Sequence, residues 1–181
     1  MKKMSIKNIV LCGMFAAILA VMAQVSIPLP SGVPVTLQTL GMALCGYILG
    51  WKYGMVSNLV YILAGVIGIP VFANFRGGVQ VLFGKTGGFL IGFVVLTVFC
   101  GIAVQMKNKV FTAIFSLAGL IICHMFGVLQ FAFLMKLSIP YSITLVSVPF
   151  LVKDIISIGI AYFVALAIRQ GLTKSGVYQF N

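Results

Sequence analysis

The stretch GGVQVLFGKTGGFL, Gly77 to Leu90, contains Gly84-Lys85-Thr86, the residue types that close a phosphate-binding loop. That motif needs a glycine, four residues, then Gly-Lys-[Ser/Thr], so that backbone N–H groups cradle the phosphates. Counting back, the first glycine belongs at position 79, which is Val79, and Gly78 comes one residue too early. Nucleotide chemistry also normally needs a second acid to hold magnesium. The chain has one acid, Asp154, and one histidine, His124. An acid–base pair, an activated nucleophile or a metal cluster needs more convergent groups than these. Cys12, Cys45, Cys100 and Cys123 lie inside apolar runs without CxxC spacing and read as small hydrophobes. His124 stands without a metal-binding companion and reads as a packed or hydrogen-bonded helix histidine. The residue set excludes an enzyme and implies no cofactor and no metal.

The elements that position these residues are apolar. Of 181 residues, 62% are hydrophobic and 7% charged, against roughly 25% charged in a soluble domain. Net charge is +11. The bases are neither clustered nor interleaved with aromatics, so nucleic acid is not implied, and a positive excess in a membrane protein reports orientation instead. The apolar run from Ile9 to Ile27 has spanning length and is followed by more spans, so it reads as a first transmembrane helix and not as a cleaved signal.

Six apolar segments can be drawn, approximately 8–27, 36–50, 53–69, 87–105, 110–135 and 147–170. They predict an all-α integral membrane protein, a six-helix bundle forming one membrane domain over 1–181. The second and third are short and nearly continuous. Pro28, Pro30, Gly32 and Pro34 end the first helix, Gly50 to Gly54 turns between the second and third, and 70–88 is a long glycine-rich loop. Pro140 and Pro149 frame the last connection. With the N-terminus in the cytoplasm, six spans return the C-terminus there. The inner side then collects Lys2, Lys3, Lys7, Lys52, Lys107, Lys109, Arg169 and Lys174, as the positive-inside rule asks.

Arg76, Lys85, Lys136 and Lys153 are left outside. Long cations at helix ends reach outer headgroups, but an anionic ligand arriving from outside accounts for them together. Asp154 lies toward the outer end of the last segment. It needs a partner, either in a structural ion pair with Lys85, Arg76 or Lys153 or as acceptor for a buried ligand. On the first segment, Gly13, Ala16, Ala17 and Ala20 form a small-residue stripe. It serves either packing within the bundle or docking of a separate membrane subunit.

Three stretches carry a family resemblance: IPLPSGVPVTLQTLGMALCGYILG, GIPVFANFRGGVQVLFGKTGGFLIGF and PFLVKDIISIGIA. Over roughly 8–170 the chain resembles the BioY family, the biotin-specific S components of energy-coupling factor (ECF) vitamin transporters. The resemblance implies a multi-pass protein of the bacterial cell membrane that captures biotin from outside. Its implied partners are a transmembrane coupling subunit and two cytoplasmic ATPase subunits, so that ATP is spent by other chains. It implies docking through the AxxxA of Ala16 and Ala20. It also places Asn74 and Asp154 on the ureido head of biotin.

A carboxylate only accepts, so Asp154 suits the two ureido N–H groups, and Asn74 can meet the carbonyl or an N–H. Phe72, Phe75 and Tyr141 are candidates for the ring faces, and Lys85, Lys153 and Arg76 for the valerate carboxylate. Gln38 is a possible polar contact. Gly78 and Gly87, with Gly77, Gly84 and Gly88, permit close backbone approach to a ligand or simply make turns. The chain departs from the family pattern at two places. Ser157 stands where a lysine is expected three residues after the acid, and Lys85 where proline is expected before TGG. Lys85 or Lys153 is then expected to supply the missing charge. Without the resemblance, the reading is a stand-alone secondary carrier for a small organic anion, distinguished by whether uptake needs ATPase subunits or a proton gradient.

Overall fold

The computed structural model describes residues 6–106 and 108–174. Lys2, Lys3 and Lys107, used above to assign sides, lie outside the described residues. Among these residues six α-helices carry the fold: α1 (Ile6–Gln24), α2 (Gln38–Val66), α3 (Gly87–Gln105), α4 (Lys109–Met135), α5 (Ile139–Val146) and α6 (Val148–Lys174). Among the described residues, α1, α3, α4 and α6 are each long and apolar enough to cross a membrane.

The helix α2 is not straight. Gly50 has φ 75° and ψ 174° inside it, a conformation essentially reserved for glycine. An unbroken helix would put residues 42 and 58 about 24 Å apart, yet Asn58 Nδ2 lies 3.0 Å from Met42 Sδ. Gln38 Nε2 likewise reaches Tyr61 Oη at 2.9 Å. The chain therefore reverses at Gly50, and the halves 38–49 and 51–66 form an antiparallel helical hairpin. These halves are about 18 and 24 Å long, which explains why α2 does not read as a single straight crossing.

One connection differs from the expectation. The stretch framed by Pro140 and Pro149 is not a plain loop but contains α5, with Pro140 in its first turn. Pro149 sits in the first turn of α6. Proline is tolerated there because that N–H has no intrahelical acceptor anyway.

Small residues set the helix spacing. A Cβ on Gly92 of α3 would lie 2.7 Å from the Cys123 Cα of α4, and one on Gly119 of α4 would lie 2.7 Å from the Phe99 Cβ of α3. Polar ties cross the interior where no water competes. Asn58 donates to Thr97 Oγ1 at 2.9 Å and to the Phe93 carbonyl at 3.2 Å, and Tyr47 donates to Ser116 Oγ at 2.6 Å. The outer faces stay greasy, as Phe133 (83% exposed) and Phe163 (71%) show; such surface suits lipid.

All the long loops gather at one end. Between α1 and α2 runs a short hairpin, β1 (Ser26–Ile27) against β2 (Val35–Thr36), with Ser26 opposite Thr36. Between α2 and α3 lie two 3-10 turns, Ala73–Phe75 and Val79–Val81. Ile6 and Lys174 lie at the opposite end, with the Gly50 reversal.

Candidate functional site

The loop end encloses a cavity with about 720 Å³ of atom-free space counted out to its mouth. Its polar wall comes from α4 and α6. Asp154 lies within two turns of the α6 start and is 5% exposed. Its side chain shares the inward face of α6 with Phe150, Ser157, Ile158, Ala161 and Ala165. The spacing is that of one helix face.

Lys153 and His124 hold the Asp154 carboxylate, with the Thr39 side chain beside it. Oδ1 forms an ion pair with Lys153 Nζ, and Oδ2 lies 3.2 Å from His124 Nε2. His124 Nδ1 lies 2.9 Å from Ser147 Oγ. A carboxylate only accepts, so the Nε2–H of His124 donates to Asp154, while Nδ1 and the Ser147 hydroxyl share the other hydrogen bond. Lys153 Nζ also donates to the Thr36 carbonyl at 2.8 Å, tying α6 to the hairpin.

The opposite wall is the loop 71–76. Phe72 and Arg76 pair across it, N to O at 2.9 and 3.2 Å. Inside, Asn74 and Phe75 both have positive φ, 60° and 55°. Each such non-glycine residue costs of order 1–2 kcal/mol, so the turn needs outside support. The Ser26 hydroxyl donates to Asn74 Oδ1 at 2.6 Å, which leaves the Nδ2 hydrogens as donors. Phe72 is 2% exposed, its ring lying where a Cβ on Gly65 would stand. Phe89, Phe93 and Phe150 complete the apolar lining.

The sequence candidates separate spatially. Asn74, Asp154, Lys153, Arg76, Gln38 and Phe72 line the cavity together. Lys85 lies in an adjoining surface groove with Arg76 and Gly32, its Nζ 3.4 Å from where a Gly32 Cβ would be. Tyr141, on α5, is 54% exposed and is not part of the lining. Gly78 and Gly87 are not lining residues either. Gly78 makes a left-handed turn at φ 96°, and Gly87 lets α3 press on the Leu82 carbonyl. Gln38 spends its amide internally, on Tyr61 and Thr36.

On α1, Ala16 is 8% exposed and faces the bundle, and Ala20 is half-buried. The small residues facing outward are Gly13 and Ala17, with open space at Gly13.

His124 was not singled out as a site residue. It is hydrogen-bonded, but to the site's own carboxylate on another helix, a pairing that no local spacing signals. Thr36 and Gln130 were missed for the same reason. Gln130 Nε2 donates to the carbonyls of Leu82 at 2.7 Å and Gly84 at 2.8 Å, clamping the far side of the glycine-rich loop.

Known proteins resemble this chain in sequence, and a solved structure shares its fold. A model of the BioY family matches residues 1–174. A Thermotoga maritima protein named Biotin transporter BioY is 38% identical over 165 residues, covering 91% of this chain and 96% of its own. Biotin transporter BioY2 of Lactococcus lactis is 33% identical over 183 residues, covering both chains fully. A crystal structure described as the S-component for biotin from an ECF-type ABC transporter superposes with a TM-score of 0.82 at 24% identity, over 93% of this chain and 95% of that one.

Proposed function

The chain belongs to the BioY family, and from that premise we propose that it is the biotin-binding S component of an ECF-type vitamin transporter, with the loop-end cavity as its binding site. The observation that carries the assignment of the site is the meeting of Asp154 and Asn74 in one aromatic-walled cavity. Asp154 offers acceptors to the ureido N–H groups, and Asn74 Nδ2 offers donors to the ureido carbonyl. Phe72, Phe89 and Phe150 suit the fused ring. Lys153 neutralises Asp154, so the remaining charge on the lining is that of Arg76, which suits the valerate carboxylate. Lys153 lies next along the wall, and Lys85 waits at the rim.

Biotin enters at the loop end, which faces outward. The opposite end carries Lys7, Lys52, Lys109, Arg169 and Lys174, so positive-inside bias makes it cytoplasmic, with both termini there. The helical hairpin of α2 supplies the second and third crossings, and the 1–181 chain acts as one membrane domain. A coupling subunit with two ATPase subunits drives release. The subunit meets the outward face of α1 at Gly13 and Ala17, not at the inward-turned Ala16.

The direct test is binding of biotin, biotin methyl ester and dethiobiotin to protein in lipid nanodiscs. Biotin binds and the ester binds at least about 10-fold more weakly, a difference of about 1.4 kcal/mol. Arg76→Ala weakens biotin by a comparable factor and loses the preference for biotin over the ester, while Lys85→Ala does so less. If biotin and its ester bind equally, and both variants match the parent, no cation holds the tail. A second result concerns the partner. Ala17→Leu keeps biotin binding but loses co-purification with the coupling module, because a close helix approach needs small side chains. Uptake that persists without ATPases and collapses with the proton gradient marks a stand-alone carrier instead.

A further inference from the structure

The end of α1 carries a polar side chain that does not line the cavity, Gln24. Its Nε2 lies 3.1 Å from the Ala20 carbonyl, 3.1 Å from that of Val71 and 3.2 Å from that of Phe72, and its Oε1 accepts the Phe75 N–H at 2.9 Å. One amide thus engages four backbone groups, three of them in the loop that presents Asn74. Backbone groups in so tight a turn cannot all pair with one another and need such an outside partner. The turn also runs through two successive left-handed residues, Asn74 and Phe75, which L-amino acids adopt reluctantly.

A second tie lies two residues on. Ser26 donates to Asn74 Oδ1, and its strand partner Thr36 accepts from Lys153. The exit of α1 therefore touches both polar walls of the cavity, and Gln24 is its main grip on the Asn74 wall. A helix of this length moves as a rod. Its outward face at Ala17 lies seven residues, about 10 Å, from Gln24 along the axis.

We propose that Gln24 is a positioning residue that fastens the ligand loop to α1, so that displacement of α1 and opening of the loop over the cavity are one event. This rests on the reading of the cavity as the biotin site and of α1 as the helix met by the coupling subunit. A partner that pulls α1 drags the loop 71–75 with it through the Gln24 contacts and frees the ligand.

Spin labels at Val21→Cys and Phe75→Cys test the link. Both positions are exposed, at 68% and 72%, and the native cysteines are buried. In nanodiscs without ligand, the pair gives one narrow distance distribution. Gln24→Leu, similar in size but without polar atoms, broadens it, and biotin dissociates at least about 10-fold faster. Gln24→Glu keeps the acceptor for Phe75 but loses the donors, and falls between. A Gln24→Leu protein with the parent's distance distribution and dissociation rate overturns the proposal. Should Gln24→Leu fail to fold, as judged by melting, the same two readouts on Gln24→Glu decide. If the parent itself binds no biotin, the biotin reading falls and the distance distributions alone decide the fastening.

Discussion

Asp154→Asn abolishes biotin capture. The expected loss is at least about 100-fold, or about 2.7 kcal/mol, measured as radiolabelled biotin binding in nanodiscs. The carboxylate is 5% exposed and sits between Lys153 and His124. As a carboxylate it can accept from both neighbours and still accept from a ligand N–H. An asparagine amide has one accepting oxygen, and its NH₂ must face either the Lys153 ammonium, donor against donor, or the imidazole, which must then move its proton to Nδ1 to accept it. Either way one oxygen is left for Lys153 and the ligand together, and the ammonium loses its countercharge. The Lys153 side chain is only partly buried and keeps some contact with solvent, but no other acid exists in the chain to replace its countercharge. A melting curve alongside separates lost binding from lost folding. Asp154→Asn protein that is folded and binds biotin within threefold of the parent would sink the assignment.

Gly92→Leu removes binding from a distance, by unseating a helix. The position lies on α3 between Phe89 and Phe93, which line the cavity, but Gly92 itself does not. A Cβ there would stand 2.7 Å from the Cys123 Cα and 2.8 Å from the Cys123 carbonyl oxygen. Backbone atoms cannot turn aside, so a leucine forces α3 and α4 apart. Overpacking of this kind costs about 1–3 kcal/mol or more. The separation moves His124, the next residue on α4, away from Asp154. The expected result is a lowered melting temperature together with biotin affinity reduced at least about 10-fold. Gly159 on α6, where a Cβ meets nothing within 4 Å, is the control, and Gly159→Leu leaves both unchanged. Equal melting and binding for Gly92→Leu and the parent would show that this crossing does not set the site.

Some of this was open to inspection before any fold was known. An apolar chain with so few charges has little polar surface to show water, and its apolar runs near spanning length point to membrane helices. Proline and glycine mark where helices stop, because they act through local backbone geometry. The BioY resemblance rests on loop segments whose residue types can be read in order. Asp154 drew notice because a lone carboxylate in an apolar helix needs a reason wherever it lies.

Facing and partnership were decided by tertiary structure. In a soluble helix, the apolar stripe reveals the inner face. In lipid both faces are apolar, so nothing along α1 distinguished Ala16, which points inward, from Ala17, which points out. The short helix α5 was hidden between two prolines that also suit a loop. By residue type Lys85 and Tyr141 are as eligible as Arg76 and Phe72, but only the latter two line the cavity. His124 and Asp154 meet across thirty residues and two helices, and Gln24 reaches a loop nearly fifty residues on. Local sequence determines which segments are helical because hydrogen bonds within a helix are local; which side chains meet depends on how those helices pack, and that packing is set by small residues and buried polar ties between distant segments.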